Sequence, residues 1–181
     1  MLILASMSPR RKEILSLLGE DFRIIPTNVD ETVDEGLSPE ETVKYLSRIK
    51  AEPLRNEDDL IIGADTVVAL DGKIFGKPKD REDAFNMLTE LSGQTHSVFT
   101  GVTLINGEKT LTFCEETKVT FYPLTENEIN RYLDTNEFCD KAGSYAVQGK
   151  GCLLIQKIDG DYFNVVGLPI ARLNKERDNI W

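Results

Sequence analysis

A continuous apolar run at residues 60–70, LIIGADTVVAL, constrains the fold more than any other feature of the sequence. It is rich in β-branched residues, and the pair Asp71-Gly72 that follows it favours a tight hairpin turn. The run therefore predicts a buried strand that returns over Lys73–Phe75. A carboxylate inside that strand, here Asp65, must be paired, bind a metal ion or take part in chemistry, because burying an isolated charge is costly. The alternative is an aspartate that faces solvent or accepts backbone hydrogen bonds.

Helix and hairpin signals alternate along the rest of the chain. Helices are predicted to begin after Ser8, Ser38, Asp80 and Thr125, with capping boxes at Ser38–Glu41 and Thr125–Glu128, and a last helix near residue 168. Gly19 is predicted to end the first helix. Hairpins are predicted at Asn106-Gly107, between 95–105 and 108–122, and at Asp159-Gly160, between 152–158 and 161–166. Short helices mixed with hairpins predict an α/β (mixed α+β) fold with a curved, mixed central sheet.

Composition narrows the class of protein. The chain has 181 residues, a net charge of −10 and a pI near 4.7. The length predicts a single domain over residues 1–181, and the charge argues against nucleic acid or an acidic membrane as partners, although a small anion needs only a local positive pocket. No stretch approaches the ~20 apolar residues of a membrane span. Three cysteines without a CxxC pair predict reduced, half-buried thiols in a cytoplasmic protein.

Cations gather where the first strand should meet the first helix. Ser8 stands at the predicted N-cap, and Arg10 and Arg11 follow in the first turn. The start of a helix attracts anions, so two cations there are unfavourable to the helix unless an anion lies against them. Two guanidinium groups suit phosphoryl oxygens, which they hold in bidentate fashion. Two solvated arginines on a surface helix are the alternative.

Two lysines and a glutamine extend this interpretation. Lys77 follows the hairpin that returns from the Asp65 strand, so the two side chains can share a face; it and Lys50 are otherwise ordinary surface lysines. Gln148, in YAVQGKG, offers one amide donor and one acceptor, which suits the imide edge of a pyrimidine, or it belongs to a simple glycine turn. The single histidine, His96, predicts a structural role. Any metal would then be held by carboxylates, which favours Mg²⁺ or Mn²⁺.

Arg10, Arg11, Asp65 and Lys77 together combine a phosphate clamp with a carboxylate that can act as a base or a metal ligand, which is what phosphoanhydride chemistry requires. At these residues the sequence resembles the Maf family of nucleoside triphosphate pyrophosphatases, the septum-formation inhibitor homologues. The matching strings run in order over nearly the whole chain: LASMSPRR, VDE at 29–31, YLSRIKA at 45–51, GADTVV at 63–68, GKP at 76–78, GQTHSVFTGV at 93–102, YAVQGKG at 145–151 and GDYFNVVGLP at 160–169.

The resemblance implies hydrolysis of a nucleoside triphosphate between its α and β phosphates with a divalent cation. It implies an elongated sheet with a cleft between two lobes, as in inosine-triphosphate pyrophosphatases. It also implies that Asp65 is the proton acceptor and, with Glu31, a metal ligand. The residues implied to hold phosphates are Ser8, Arg10, Arg11, Lys50 and Lys77.

The same resemblance bears on specificity. Arg11, Thr66 and Gln148 imply the dTTP/UTP subfamily and a house-cleaning role on the nucleotide pool, including modified pyrimidine nucleotides. Three alternatives stay open at this point: 7-methyl-GTP as the substrate, another non-standard purine triphosphate, and a non-catalytic nucleotide sensor that acts on cell division. The family also makes a homodimer plausible.

Overall fold

The computed structural model describes residues 1–34 and 36–180. Within them, the strands are β1 (Leu2–Leu4), β2 (Phe22–Ile24), β3 (Leu60–Leu70), β4 (Lys73–Phe75), β5 (Thr95–Asn106), β6 (Lys109–Phe121) and β7 (Ile155–Asp159). These seven strands form one sheet in the order β2-β1-β3-β5-β6-β7, with β4 paired to β3. β1 runs parallel to β2 and β3, and the remaining pairs are antiparallel. The predicted mixed α/β sheet is confirmed.

All but one of the helices in the described residues begin where the sequence signals place them. They are α1 (Pro9–Ser16), α2 (Pro39–Ala51), α3 (Arg81–Leu91), α4 (Glu126–Leu133), α5 (Tyr162–Val166) and α6 (Ile170–Arg177). Both predicted capping boxes are present, because Ser38 and Thr125 each exchange hydrogen bonds with the residue three positions on. The Asp80 side chain caps α3 by accepting from the Asp83 amide. Short 3₁₀ segments lie at Glu52–Leu54, Ala142–Ser144 and Gly149–Leu154.

The hairpin predicted at Asp159-Gly160 is wrong. β7 ends at Asp159, and the residues that were expected to return as a strand form α5 instead. The Asp161 carboxylate accepts from the Phe163 amide and starts the helix. The fully buried Asn164 then donates to the Val98 carbonyl and to the Thr117 hydroxyl. These tertiary hydrogen bonds favour a helix in a segment whose composition favours a strand.

Three smaller expectations need correction. Ser8 occupies the N-cap of α1, but its side chain makes no capping hydrogen bond. That helix ends at Ser16, before Gly19, which instead adopts a left-handed conformation in the turn beyond. The expected half-buried thiols hold only for Cys114, because Cys139 and Cys152 are exposed.

The two edges of β3 are occupied differently. One edge pairs with β5 along residues 60–69. The other edge pairs with β1 over 60–62 and with β4 over 68–70. Among the described strands, none pairs with the middle of this edge, so β3 is open there on both sides of Asp65. A crevice at a point where neighbouring strands diverge is a common place for a ligand in α/β sheets.

Helix α2 packs very closely on β3 and β5 because both strands carry a glycine beneath it. A Cβ atom at Gly63 would overlap the Ser47 carbonyl oxygen, and one at Gly101 would overlap the Val43 carbonyl. Gly101 also lies directly opposite Asp65 in the sheet. The two glycines therefore set how closely the last turn of α2 approaches the centre of β3.

Two large apolar clusters stabilise the molecule. The first includes Leu60, Ile62 and Leu104, and the second includes Leu88 and Phe121; the side chains of all five are almost fully buried. Burying such side chains is the main favourable contribution to folding. No helix in the described part of the chain combines the length and the hydropathy needed to cross a bilayer.

Candidate active site

A cavity of about 830 Å³ lies at the open stretch of the β3 edge. Its walls include members of both apolar clusters, such as Val147 and Val166 of the first and Val68 and Tyr145 of the second. The nine residues predicted to act in catalysis, substrate binding or metal binding all line it: Ser8, Arg10, Arg11, Glu31, Lys50, Asp65, Thr66, Lys77 and Gln148. The volume is within the range of small-molecule and cofactor sites.

A lysine bridges the two acidic residues of the cavity. The Lys50 ammonium lies 2.5 Å from Oδ1 of Asp65 and 2.9 Å from Oε2 of Glu31. Lys50 and Asp65 are each 14% exposed, whereas Glu31 is 55% exposed. The Asp65 carboxylate, which is largely shielded from solvent, is therefore paired, as a charge inside an apolar strand must be. Lys50 reaches it from the last turn of α2, above the close contacts at Gly63 and Gly101.

Arg11 is fixed by the protein on three sides. Its Nε atom donates to the Gly167 carbonyl at 2.8 Å, and its two terminal nitrogens donate to the hydroxyls of Ser6 and Thr66. Burial lowers the pKa of Arg11, and the negative charge of Asp65 opposes that shift. A guanidinium group has five N–H donors, so two remain after these bonds are counted. Arg11 is thus a preset cation rather than a mobile one.

Thr66 contacts Arg11 through a longer chain of hydrogen bonds. Its hydroxyl lies 2.9 Å from that of Thr100, and the Thr100 hydroxyl donates to the Asn164 carbonyl. The Thr66 side chain thus sits between the arginine and a buried polar network that reaches α5. This arrangement gives Thr66 a direct influence on the position of Arg11.

Ser8 and Arg10 differ from Arg11 in having free polar groups. Neither the Ser8 hydroxyl nor the Arg10 guanidinium is hydrogen-bonded to any residue in the described ranges. The first turn of α1 carries no acidic residue. Burial lowers the pKa of Arg10. An unpaired hydroxyl, an unpaired cation and the amide groups of a helix start can receive an anion together.

Lys77 and Gln148 enter the cavity from two loops. Lys77 follows β4 and is exposed, and Gln148 is the exposed residue before the 3₁₀ segment Gly149–Leu154. The Glu137 carboxylate accepts from the Lys150 amide at 2.8 Å and so holds the loop just after Gln148. A Cβ atom at Gly151 would overlap the Ala146 carbonyl oxygen, which explains that glycine.

His96 lies behind the cavity in a buried aromatic cluster. Its Nε2 atom is 2.8 Å from the Tyr145 hydroxyl, and its ring meets those of Phe121 and Tyr145 edge to face. Burial lowers the pKa of His96 to about 4 and raises that of Tyr145. The histidine is neutral at pH 7 and supports the start of the YAVQGKG segment. The structural role predicted for it agrees with this position.

Two lining residues were missed in the sequence. Lys141 lines the cavity beside Arg10, and Gly167 supplies the carbonyl that accepts from Arg11. The Gly167 carbonyl could not have been found, because a backbone acceptor has no side-chain signal. Lys141 stands in a DKAGS stretch without periodicity or a known loop signature. Only the fold shows that this stretch borders the cavity.

The described residues contain no cluster of three or more His, Cys, Asp or Glu side chains that could hold a metal ion. The two carboxylates that share Lys50 nevertheless fit one kind of metal site. Mg²⁺ is commonly held by one or two carboxylates together with water and substrate phosphates, rather than by a complete cage of protein ligands. Glu31 and Asp65 match that donor set in number and in chemical type.

Comparison with known proteins gives the family. A sequence model described as Maf-like protein matches residues 1–179. The chain belongs to the Maf-like protein family. A Bacillus pumilus protein named dTTP/UTP pyrophosphatase is 55% identical to this chain, over 94% of this chain and 92% of its own length. A protein of the same name from Bacillus cytotoxicus is 52% identical, over 96% of this chain and 92% of its own length. Among solved structures, the Staphylococcus aureus Ham1 protein covers 67% of this chain and 72% of its own, with a TM-score of 0.49 and 17% identity.

Proposed function

We propose that this Maf-like protein hydrolyses dTTP and UTP, including modified forms, to the nucleoside monophosphate and pyrophosphate. The observation that carries the proposal is one largely shielded carboxylate, Asp65, in a cavity that is also lined by several cations and is large enough for a nucleotide. The names of relatives at 50–55% identity over more than nine-tenths of the chain supply the substrate. Fixed cations around a developing phosphate charge are the main source of catalysis in phosphoryl transfer.

In the proposed reaction Asp65 accepts a proton from a water molecule. The resulting hydroxide attacks the α phosphorus. The bond between that phosphorus and the oxygen bridging to the β phosphorus breaks, and pyrophosphate leaves. Lys50 pairs with Asp65 in the free protein, and phosphate oxygens compete for the same ammonium. Substrate binding then loosens the ion pair and makes the carboxylate available as a base. Geometry of this kind, with base and cation prearranged, lowers the cost of reaching the transition state.

The cations have different proposed tasks. Arg10, Ser8 and the start of α1 have free donors and bind phosphate oxygens. Arg11 uses the two N–H groups that its internal hydrogen bonds leave over. Lys77 reaches the phosphates from the loop after β4. Contacts made by the partly buried Arg10 and Arg11 are stronger than contacts on the open surface, because charges attract more in a medium of low dielectric constant.

A divalent cation, Mg²⁺ or Mn²⁺, is part of the proposal. Glu31 and Asp65 are the residues that would hold it, and it would neutralise phosphate charge and polarise water when bound. Lys50 faces the same two carboxylates in the free protein. Metal and substrate are therefore expected to bind together, since each helps to draw the carboxylates and the ammonium apart.

The base is proposed to be recognised by Gln148. Its exposed amide lies at the cavity, and a donor beside an acceptor matches a pyrimidine edge. Thr66 is proposed to act on specificity through Arg11, because its hydroxyl accepts from that guanidinium. Arg11 and Thr66 would thus act on specificity as one coupled unit, and Gln148 would act separately.

The test is a rate comparison over a nucleotide panel with Mg²⁺ and with Mn²⁺. Pyrophosphate and orthophosphate are measured separately, and the panel includes dTTP, UTP, 7-methyl-GTP and ITP. The proposal requires pyrophosphate release that is fastest with dTTP or UTP. Faster turnover of a purine would overturn the substrate assignment, and nucleotide binding without turnover would favour a sensor.

A variant tests the role of Asp65. Asp65→Asn keeps the size of the side chain and removes its ability to take a proton. We expect turnover to fall at least about 1,000-fold while nucleotide binding changes much less. Full activity in this variant would exclude Asp65 as the essential base.

A further inference from the structure

Two further cations, Arg10 and Lys141, line the same cavity as the Asp65–Lys50 pair. Arg10 reaches the cavity from the first turn of α1, and Lys141 reaches it from the segment before Tyr145. Burial lowers the pKa of Lys141, and the positive charge of Arg10 lowers it further. Like charges that approach each other in a partly buried site repel, so the arrangement is unfavourable in the absence of an anion.

Little in the protein compensates for this repulsion. The Lys141 ammonium donates to the Cys139 carbonyl at 3.0 Å, and within the described ranges it forms no ion pair. Asp140 and Glu137 attract it only from longer range. Arg10 also lacks an ion pair with any residue of those ranges. A lysine that serves only solubility does not need to lie near a half-buried arginine.

The segment that carries Lys141 is held in an unusual conformation. Of the four non-glycine residues with positive φ in the described chain, three lie here: Asn136, Asp140 and Ser144, with φ of 58°, 60° and 64°. The surrounding structure holds the segment in place, because Gly143 donates to the Gly76 carbonyl and Ser144 is fully buried. Such conformations persist only where other contacts enforce them, and they concentrate at ligand-binding sites.

We infer that Lys141 is a further substrate-binding residue, which forms with Arg10 a subsite for the polyphosphate chain of the nucleotide. The inference rests on the proposed function for the identity of the nucleotide, but the subsite itself requires only an oligophosphate. A phosphate group between the two side chains replaces their repulsion by two charge-assisted hydrogen-bonding partners. Lys141 thereby joins Lys50 and Lys77 among the cations that line the cavity.

The direct test uses inorganic tripolyphosphate as the probe, so that recognition of the base plays no part. Its dissociation constant is measured by titration calorimetry for the full chain and for Lys141→Met, Lys141→Arg and Lys175→Met. The last is the matched control, since Lys175 lies on α6 away from the cavity. Lys141→Met should bind about 10- to 100-fold more weakly, Lys141→Arg should recover most of the loss, and the control should not change.

A second measurement separates binding from a merely structural role. In the free protein, Lys141→Met removes the repulsion with Arg10, so its melting temperature should be equal to or above that of the unaltered protein. Added tripolyphosphate should raise that temperature less in Lys141→Met than in the unaltered protein. A lower starting temperature with an unchanged tripolyphosphate shift would overturn the inference and make Lys141 a structural residue.

The outcome can be told apart from failure of the proposed function. If the unaltered protein binds tripolyphosphate more tightly than Lys141→Met does but hydrolyses no nucleotide, the proposed reaction fails and the subsite stands. If the protein hydrolyses dTTP with a KM that Lys141→Met leaves unchanged, the subsite fails and the reaction stands. Agreement of both proposals requires turnover by the unaltered protein and a raised KM in Lys141→Met.

Discussion

The Lys50 ammonium lies 2.5 Å from Oδ1 of Asp65, and the same nitrogen lies 2.9 Å from Oε2 of Glu31. One positive charge is thus shared by two carboxylates on the cavity wall. The Lys50–Asp65 ion pair forms because α2 packs very closely on the sheet at Gly63 and Gly101, where no side chain separates the helix from the strands. The packing of a helix on two glycines therefore decides the electrostatic state of the proposed base.

Loss of Lys50 should impair turnover strongly. Lys50→Met leaves Asp65 and Glu31 without the cation between them and removes one phosphate ligand, so kcat should fall about 100-fold or more. Steady-state pyrophosphate release measures this. Lys44→Met is the control, because Lys44 lies on the same helix but pairs with Glu40 at the surface. A kcat within threefold of the unaltered protein would contradict the role given to Lys50.

The close contact beneath α2 predicts a stability effect. Gly101→Ala places a methyl group against the Val43 carbonyl, so the free energy of unfolding should fall by about 1–3 kcal/mol. Gly76→Ala is the control, because nothing lies within 4 Å of its added Cβ; it should change stability by less than about 0.5 kcal/mol. Urea unfolding of both variants decides the matter. Equal midpoints in urea would show that α2 can move away without cost.

Thr66 should act by positioning Arg11. Thr66→Val keeps the shape of the side chain but removes the acceptor for the Arg11 guanidinium, and KM for dTTP should rise about 10-fold. Thr66→Ser keeps the hydroxyl and should restore most of the affinity. Thr95→Val is the control, because it removes an exposed hydroxyl pair elsewhere on the sheet. Equal KM values for the valine and serine variants would show that the Thr66 hydroxyl does not position Arg11 for substrate binding.

Gln148 should control the choice of base. Gln148→Glu replaces the amide donor by an acceptor, so the ratio of dTTP to purine turnover should fall about 10-fold. The nucleotide panel with the unaltered protein gives the reference ratio. Gln156→Glu adds the same charge at an exposed position on β7 and should leave the ratio unchanged. An unaltered ratio in Gln148→Glu would remove this residue from base recognition.

His96 predicts how stability depends on pH. Burial lowers its pKa in the folded state to about 4, against an ordinary value of 6.5. Between those values only the unfolded chain binds the proton, so stability should decrease as pH falls from about 6.5 to about 4, by up to about 3 kcal/mol from this residue. His96→Gln offers a neutral partner to Tyr145 and should lose that part of the pH dependence. Melting temperatures at pH 8 and pH 5 test it, and an equal decrease in both proteins would contradict it.

Much of the fold follows from local patterns. The strand at Leu60–Leu70 and its return to Phe75 are where the apolar run and the Asp-Gly pair place them. The long hairpin around Asn106-Gly107 and the two capping boxes are equally local. These features depend on backbone preferences and on contacts within a few residues. A single sequence contains all of that information.

Other features depend on contacts between distant residues. Residues 161–166 have the composition of a strand, yet they form a helix because Asn164 finds its hydrogen-bond partners on β5 and β6. Lys141 carries no recognisable signal and gains its importance only beside Arg10. The hydrogen bonds of Arg11 to Thr66 and Gly167 span 55 and 156 positions in the chain. Side-chain pairs at such separations cannot be read from spacing.

The order of residues along the chain specifies which side chains are available for anion chemistry and to which family the chain belongs. How these side chains meet depends on the folded molecule: which cation pairs with Asp65, which arginine is fixed and which is free, and where β3 is left open. The fold is needed for this because charge interactions depend on distance and burial. Both quantities are set by how helices pack on the sheet, and packing is a property of the whole chain.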